Sequence, residues 1–90
     1  MSYENVNVNE ATIVDVREPS ELAQGMITGS INIPLGDVPN KIEDFKAMKK
    51  PVVLCCRSGQ RSQQAVDFLA ATGIDELYNG GSWTEVKERM

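Results

Sequence analysis

Cys56 is followed within five residues by Arg57, Gly59 and Arg61, in the run Cys55-Cys56-Arg57-Ser58-Gly59-Gln60-Arg61-Ser62. A thiol beside two guanidinium groups and a glycine could do nucleophilic chemistry. Thiolate is the reactive form of cysteine, and nearby cations or a helix N-terminus favour it over thiol. Pro51-Val52-Val53-Leu54 before the run reads as a buried strand, and Gln63 to Ala71 after it reads as a helix. Strand, tight loop and helix start leave backbone N–H groups free, and both they and the positive helix end favour an anion. A short loop from Cys56 to Arg61 can turn its amides inward as a concave nest.

The paired cysteines carry different expectations. Strand neighbours point to opposite faces, and cysteine is among the most buried residue types, so a core role is the default for each. That default holds for Cys55. For Cys56, at the loop entry, the clustered arginines and glycine reverse it in favour of a nucleophile. Arg61 reads either as an anion-binding fork or as a solvated charge. A cation at a helix start opposes the dipole, so an anion is expected to offset it. Arg57 has the same two readings, with steering of an anionic substrate as its functional one. Gly59 is read as a backbone device, allowing positive φ or a close approach. Ser58 and Ser62 either donate to the sulfur or its cargo, or, for Ser62, cap the helix. Asp15, Arg17 and Glu18 read first as a structural ion-pair network, and Trp83 as core packing before pocket wall.

The absence of histidine from the sequence removes every mechanism that needs an imidazole base. Two adjacent cysteines cannot make a four-ligand zinc site, and neighbours in sequence pair only with strain. No metal or cofactor is therefore expected, and the thiols point to a reducing compartment. A net charge of −4 gives no support for binding nucleic acid or an anionic membrane. No apolar run approaches the ~20 residues of a membrane span. Met1 to Asn7 lacks the basic flank and apolar core of a signal peptide, so a cytoplasmic location is expected. Ninety residues suit a single domain, with monomer as the default state.

The elements that must position the loop alternate. Strands are expected at Thr12–Val16, Ser30–Ile33, Val52–Cys55 and Glu76–Tyr78, with a further edge strand at Val6–Val8. Helices are expected over Ser20–Gln24, with Pro19 in the first turn and Gly25 at the end, and from an Asp37 N-cap, with Pro39 in the first turn, through an Ile42, Phe45, Met48 stripe. The helix after the Cys56 loop should bury Ala65, Val66, Leu69 and Ala70 and stop at Gly73. Ser82-Trp83-Thr84-Glu85 fits a capping box that opens a last helix. Short alternating strands and helices indicate a three-layer α/β domain with a small, largely parallel sheet flanked by helices. Such sheets bind ligands beyond the strand carboxyl ends, where the Cys56 loop falls.

Taken together, these residues resemble a single-domain rhodanese, a thiosulfate or persulfide sulfurtransferase. The resemblance runs from Ile13 to about Trp83 through Ile13-Val14-Asp15-Val16-Arg17-Glu18-Pro19, then Gly25 to Pro34, then Cys56 to Ser62, then Asn79-Gly80-Gly81. It implies a persulfide-forming nucleophile at Cys56, loop amides from Arg57, Ser58, Gly59, Gln60 and Arg61, and an anion-binding role for Arg61. It also implies a small sulfur-donor anion, and a thiol acceptor, cyanide or protein sulfur carrier as partner. Met26 stands where the family often has histidine, at a position whose role is packing. Two alternatives are open. Cys55 to Arg61 has the Cys-x5-Arg spacing of cysteine-dependent phosphatases and arsenate reductases, although Leu54 replaces their usual histidine. A non-catalytic binding module is the other.

Overall fold

The computed structural model describes residues 2–90, with four strands in one sheet: Thr12–Asp15 (β1), Ile31–Asn32 (β2), Val52–Cys56 (β3) and Leu77–Ser82 (β4). Their order is β2-β1-β3-β4 and every pairing is parallel. The α-helices are Ile42–Ala47 (α1), Gln60–Ala71 (α2) and Trp83–Glu88 (α3). Among the described residues no helix is long and apolar enough to cross a membrane.

Side-chain alternation along β3 divides the core into two. Val52, Leu54 and Cys56 enter one layer with Phe45 of α1 and Ala65 and Leu69 of α2. Val53 and Cys55 enter the other with Val86 of α3, Val6, Val8 and Ile27. Every residue of β3 is buried, as expected for the centre of a parallel sheet covered on both faces. The chain passes from β1 out to β2 at one edge, then returns to lay β3 on the other side of β1. Connections therefore diverge at the carboxyl ends of β1 and β3, and that divergence opens a crevice there.

Three local expectations are corrected. No strand forms at Val6–Val8: both valines are buried, but 3-10 turns at Tyr3–Asn5 and Val8–Glu10 occupy the segment. The Asn7 side chain accepts from the N–H of Asn9 at 3.0 Å, a local bond that competes with a ladder. Asp37 caps no helix. It lies inside a 3-10 helix, Leu35–Asn40, and α1 starts anew after Lys41 (φ −121°, ψ 19°). Pro39 lacks an N–H and cannot extend the hydrogen-bonded ladder through this stretch. In α2, Ser62, Ala65 and Leu69 form the buried stripe, whereas Ala70 is turned to solvent, about 100° further round the helix from Leu69. Gly73 adopts the left-handed conformation (φ 94°), and Ser82 and Glu85 form the capping box of α3.

Candidate active site

Cys56 ends β3 at the crevice and has no exposed surface. Gly59, three residues on, adopts φ 95° at the N-cap of α2 and donates its N–H to Cys56 Sγ at 3.0 Å. Ser62 lies in the first turn of α2, fully buried, with Oγ 3.4 Å from the same sulfur. Burial pushes the Cys56 thiol up, but the Ser62 hydroxyl and the N–H groups of Ser62, Ser58 and Gly59 outweigh it and leave the pKa below the ordinary thiol value. The thiolate is thus favoured by directed donors and not by exposure.

Cys55 has the opposite environment. It faces the α3 layer, and burial, followed by the nearby Asp15 carboxylate, pushes its thiol up to about 12, with Arg17 pulling the other way. A nucleophile counted from Cys55 to Arg61 would sit on the wrong face of the sheet from the loop donors.

β4 closes the far wall through an irregularity. Leu54 pairs with Asn79 and Cys55 with Gly81, so Gly80 is an extra residue, a β-bulge. A Cβ on Gly80 would lie 2.6 Å from Val86 Cγ2 and 2.8 Å from Val53 Cγ1. A Cβ on Gly59 would lie 3.1 Å from the Gly81 Cα, so loop and bulge meet backbone to backbone. Asn79 locks that contact. Its Nδ2 donates to the carbonyl of Gly59 at 3.0 Å and to Gln63 Oε1 at 3.1 Å, which assigns its amide orientation. Its Oδ1 accepts from the Gly81 N–H at 3.0 Å and from the Ser62 hydroxyl at 2.6 Å.

β1 supplies the third wall. Asp15 and Arg17 are both 1% exposed, and Arg17 Nη2 binds Asp15 Oδ2 at 2.7 Å. The same guanidinium donates to the carbonyls of Gly25 at 2.8 Å and Glu21 at 3.3 Å, and lies 4.8 Å from the centroid of Trp83. Arg17 thereby pins the 3-10 helix Pro19–Gln24 to the sheet. From that helix Glu21 reaches Arg61 in a bidentate pair, Nη1 to Oε2 at 2.8 Å and Nη2 to Oε1 at 2.9 Å. The Arg61 guanidinium first, and then the Glu18 N–H, lower the Glu21 carboxyl to about 2.

The sequence profile of the rhodanese-like domain family matches residues 3–89. The chain belongs to the rhodanese-like family. A protein of Allochromatium vinosum named sulfurtransferase is 33% identical over 79 residues, covering 88% of this chain and 73% of its own. A rhodanese-related protein from Thermoplasma volcanium superposes with a TM-score of 0.73 at 36% identity, covering 91% of this chain and 82% of that one. The human single-domain sulfurtransferase TSTD1 superposes with a TM-score of 0.72 at 27% identity, covering 91% and 85%. Against three further curated relatives the chain spans 64%, 55% and 62% of their length.

Within this rhodanese-like framework the expected site residues separate by role. Cys56, Gly59 and Ser62 converge on one sulfur. Ser62 lies inside α2 and is not its cap. Ser58 and Gln60 are at the exposed mouth, and Arg57 is exposed there with no ion-pair partner among the described residues. Arg61 pairs through both terminal nitrogens with Glu21, so the carboxylate offsetting its charge at the helix start is the protein's own. Met26 is 40% exposed, so its side chain does not fill the core, while the adjacent Ile27 does. The sequence reading gives Glu21 and Asn79 no role in the site. Asn79 had one signal, its place before Gly80-Gly81; Glu21 meets Arg61 across forty positions of chain, with no local signature.

Proposed function

We propose that this chain is a sulfurtransferase in which Cys56 carries a sulfane sulfur as a persulfide. The observation that supports it is the convergence of the Gly59 N–H and the Ser62 hydroxyl on Cys56 Sγ at the start of α2. In the first step the Cys56 thiolate attacks the outer sulfur of a donor such as thiosulfate or another persulfide. A new S–S bond forms at Sγ, the donor S–S bond breaks, and its electron pair leaves with sulfite or a thiolate. The loop N–H groups then hold the negative outer sulfur of the bound persulfide, a charge-stabilising role that needs no general base. A thiol, cyanide or protein sulfur carrier takes that sulfur in the second step and restores the Cys56 thiolate. Both thiols are unpaired, which suits a reducing compartment such as the cytoplasm.

Mass spectrometry after incubation with thiosulfate tests the reading. A gain of one sulfur atom mapped to Cys56, lost in Cys56→Ser and kept in Cys55→Ser, is the expected result. Hydrolysis of an aryl phosphate with no sulfur adduct would move the chain to the phosphatase alternative. Neither activity with any donor would leave a binding module.

A further inference from the structure

Arg17, Arg57 and Arg61 are the cations of the site, and their charges are not equally available. Arg17 is cancelled by Asp15 inside the protein. Arg61 is cancelled by Glu21, whose carboxylate oxygens take both ends of the guanidinium fork. Arg57 alone is exposed and unpaired among the described residues.

The Glu21–Arg61 contact is built in, not a chance meeting of surface side chains. An exposed ion pair of two free side chains contributes little and samples many geometries. Here the carboxylate is aimed beforehand: the Glu18 N–H donates to Glu21 Oε2 at 2.8 Å, and buried Arg17 holds the Glu21 carbonyl. The side chains of Arg61 and Glu21 are 31% and 25% exposed, so the pair lies at the rim of the crevice and not in bulk solvent. A guanidinium so paired has its end-on fork occupied and its charge offset, so a substrate oxyanion would meet only its remaining side-on N–H groups and little net charge.

We propose that Glu21 sets the charge class of sulfur donor, masking Arg61 so that Cys56 favours donors of low charge, alkyl persulfides of small thiols, over dianions such as thiosulfate. This rests on the sulfurtransfer reading above. With Glu21 and Arg61 offsetting each other, a dianion approaching Cys56 meets the thiolate against Arg57 alone, whereas a monoanionic alkyl persulfide meets half the thiolate's repulsion. The transfer is balanced: Cys56 Sγ bonds to the outer sulfur, the bond between the two donor sulfurs breaks, and the electron pair leaves on the inner sulfur. The donor's anionic outer sulfur carries its charge onto Cys56 as an anionic persulfide, and the inner sulfur departs as a thiolate. Glu21 is a positioning residue in this scheme, acting through Arg61.

The test compares Glu21→Gln and Glu21→Asp with the natural chain at low salt, with circular dichroism confirming the fold. Single-turnover loading of Cys56 is measured with thiosulfate and with a monoanionic alkyl persulfide. Alkylation of Cys56 by iodoacetate and by iodoacetamide is measured in parallel, because their ratio cancels any change in thiolate fraction and requires no sulfur transfer. Unmasking one cation near the sulfur should speed thiosulfate loading about fivefold to tenfold in Glu21→Gln. The persulfide rate and the iodoacetate-to-iodoacetamide ratio should rise about twofold to threefold, because each anion carries one charge. Glu21→Asp, which keeps the charge, should stay near the natural values. Glu21→Ser makes the same charge change if Glu21→Gln loses its fold. Unchanged donor and alkylation ratios in the neutral variant would overturn the role of Glu21. Failure of every donor to load the natural chain would overturn only the sulfurtransfer reading, and the alkylation ratio would still decide the role of Glu21.

Discussion

Ser62→Ala should raise the pH at which Cys56 becomes reactive by about one unit. The Ser62 hydroxyl has one proton and two acceptors, Asn79 Oδ1 at 2.6 Å and Cys56 Sγ at 3.4 Å. With Cys56 as a thiol, the short contact takes that proton and the sulfur can donate to Ser62. When the thiol ionises, the hydroxyl turns to the sulfur, while Asn79 Oδ1 keeps the Gly81 N–H at 3.0 Å. A hydrogen bond to a charged group is worth about 1.5–3 kcal/mol, and the neutral bond given up about 0.5–1.5 kcal/mol. The difference favours the thiolate by about 1–1.5 kcal/mol, where one pKa unit is about 1.4 kcal/mol. The Gly59 N–H remains in the variant, so the thiolate is weakened and not abolished. The assay is the rate of iodoacetamide alkylation against pH. Cys55, pushed up to about 12 by burial, does not compete at neutral pH. The rate well below the midpoint should fall about tenfold, with the high-pH plateau retained. A midpoint within about 0.3 unit of the natural one, or a lowered plateau alone, would refute the hydroxyl's role.

Gly80→Ala drives a methyl group to 2.6 Å from Val86 Cγ2, and should cost about 1–3 kcal/mol and lower Tm by about 4–20 °C. Gly36→Ala, with nothing within 4 Å, is the control expected to leave Tm in place in the same thermal scans. The Glu21 carboxyl is lowered to about 2 in the folded chain from 4.5, so its stabilising contribution is complete above 4.5 and is lost as pH falls through 2. Melting curves of Glu21→Gln and the natural chain should therefore converge across that acid window. Cys55→Ser places a hydroxyl among Val53, Val86 and Ile27 and should lower stability by about 1–3 kcal/mol in urea titrations, with the pH midpoint of Cys56 alkylation unmoved.

Features that depend on near neighbours were readable from sequence. The capping box of Ser82 and Glu85, the left-handed Gly73 and the buried apolar run of β3 each follow from residues within one turn or one strand. The errors arose where a local bond or a proline competed with a periodic pattern. Val6 and Val8 are both buried, but Asn7 bonds its own neighbour, so the backbone turns instead of pairing. Pro39 divided what the apolar spacing presented as one helix.

By itself the sequence determined that Cys55 and Cys56 face different layers, because side chains on a strand alternate, and that the loop after Cys56 opens onto a helix start. It also placed Gly59 and Ser62 within one helical turn of the sulfur. Only the tertiary structure decided what surrounds that loop. Parallel pairing brings the ends of β1 and β4 to β3, and the bulge at Gly80 lets Asn79 bind Ser62 and Gly59 together. The same packing carries Glu21 to Arg61 and makes their ion pair at the rim of the crevice. Contacts between residues forty positions apart depend on how layers stack, and no spacing along the chain encodes them.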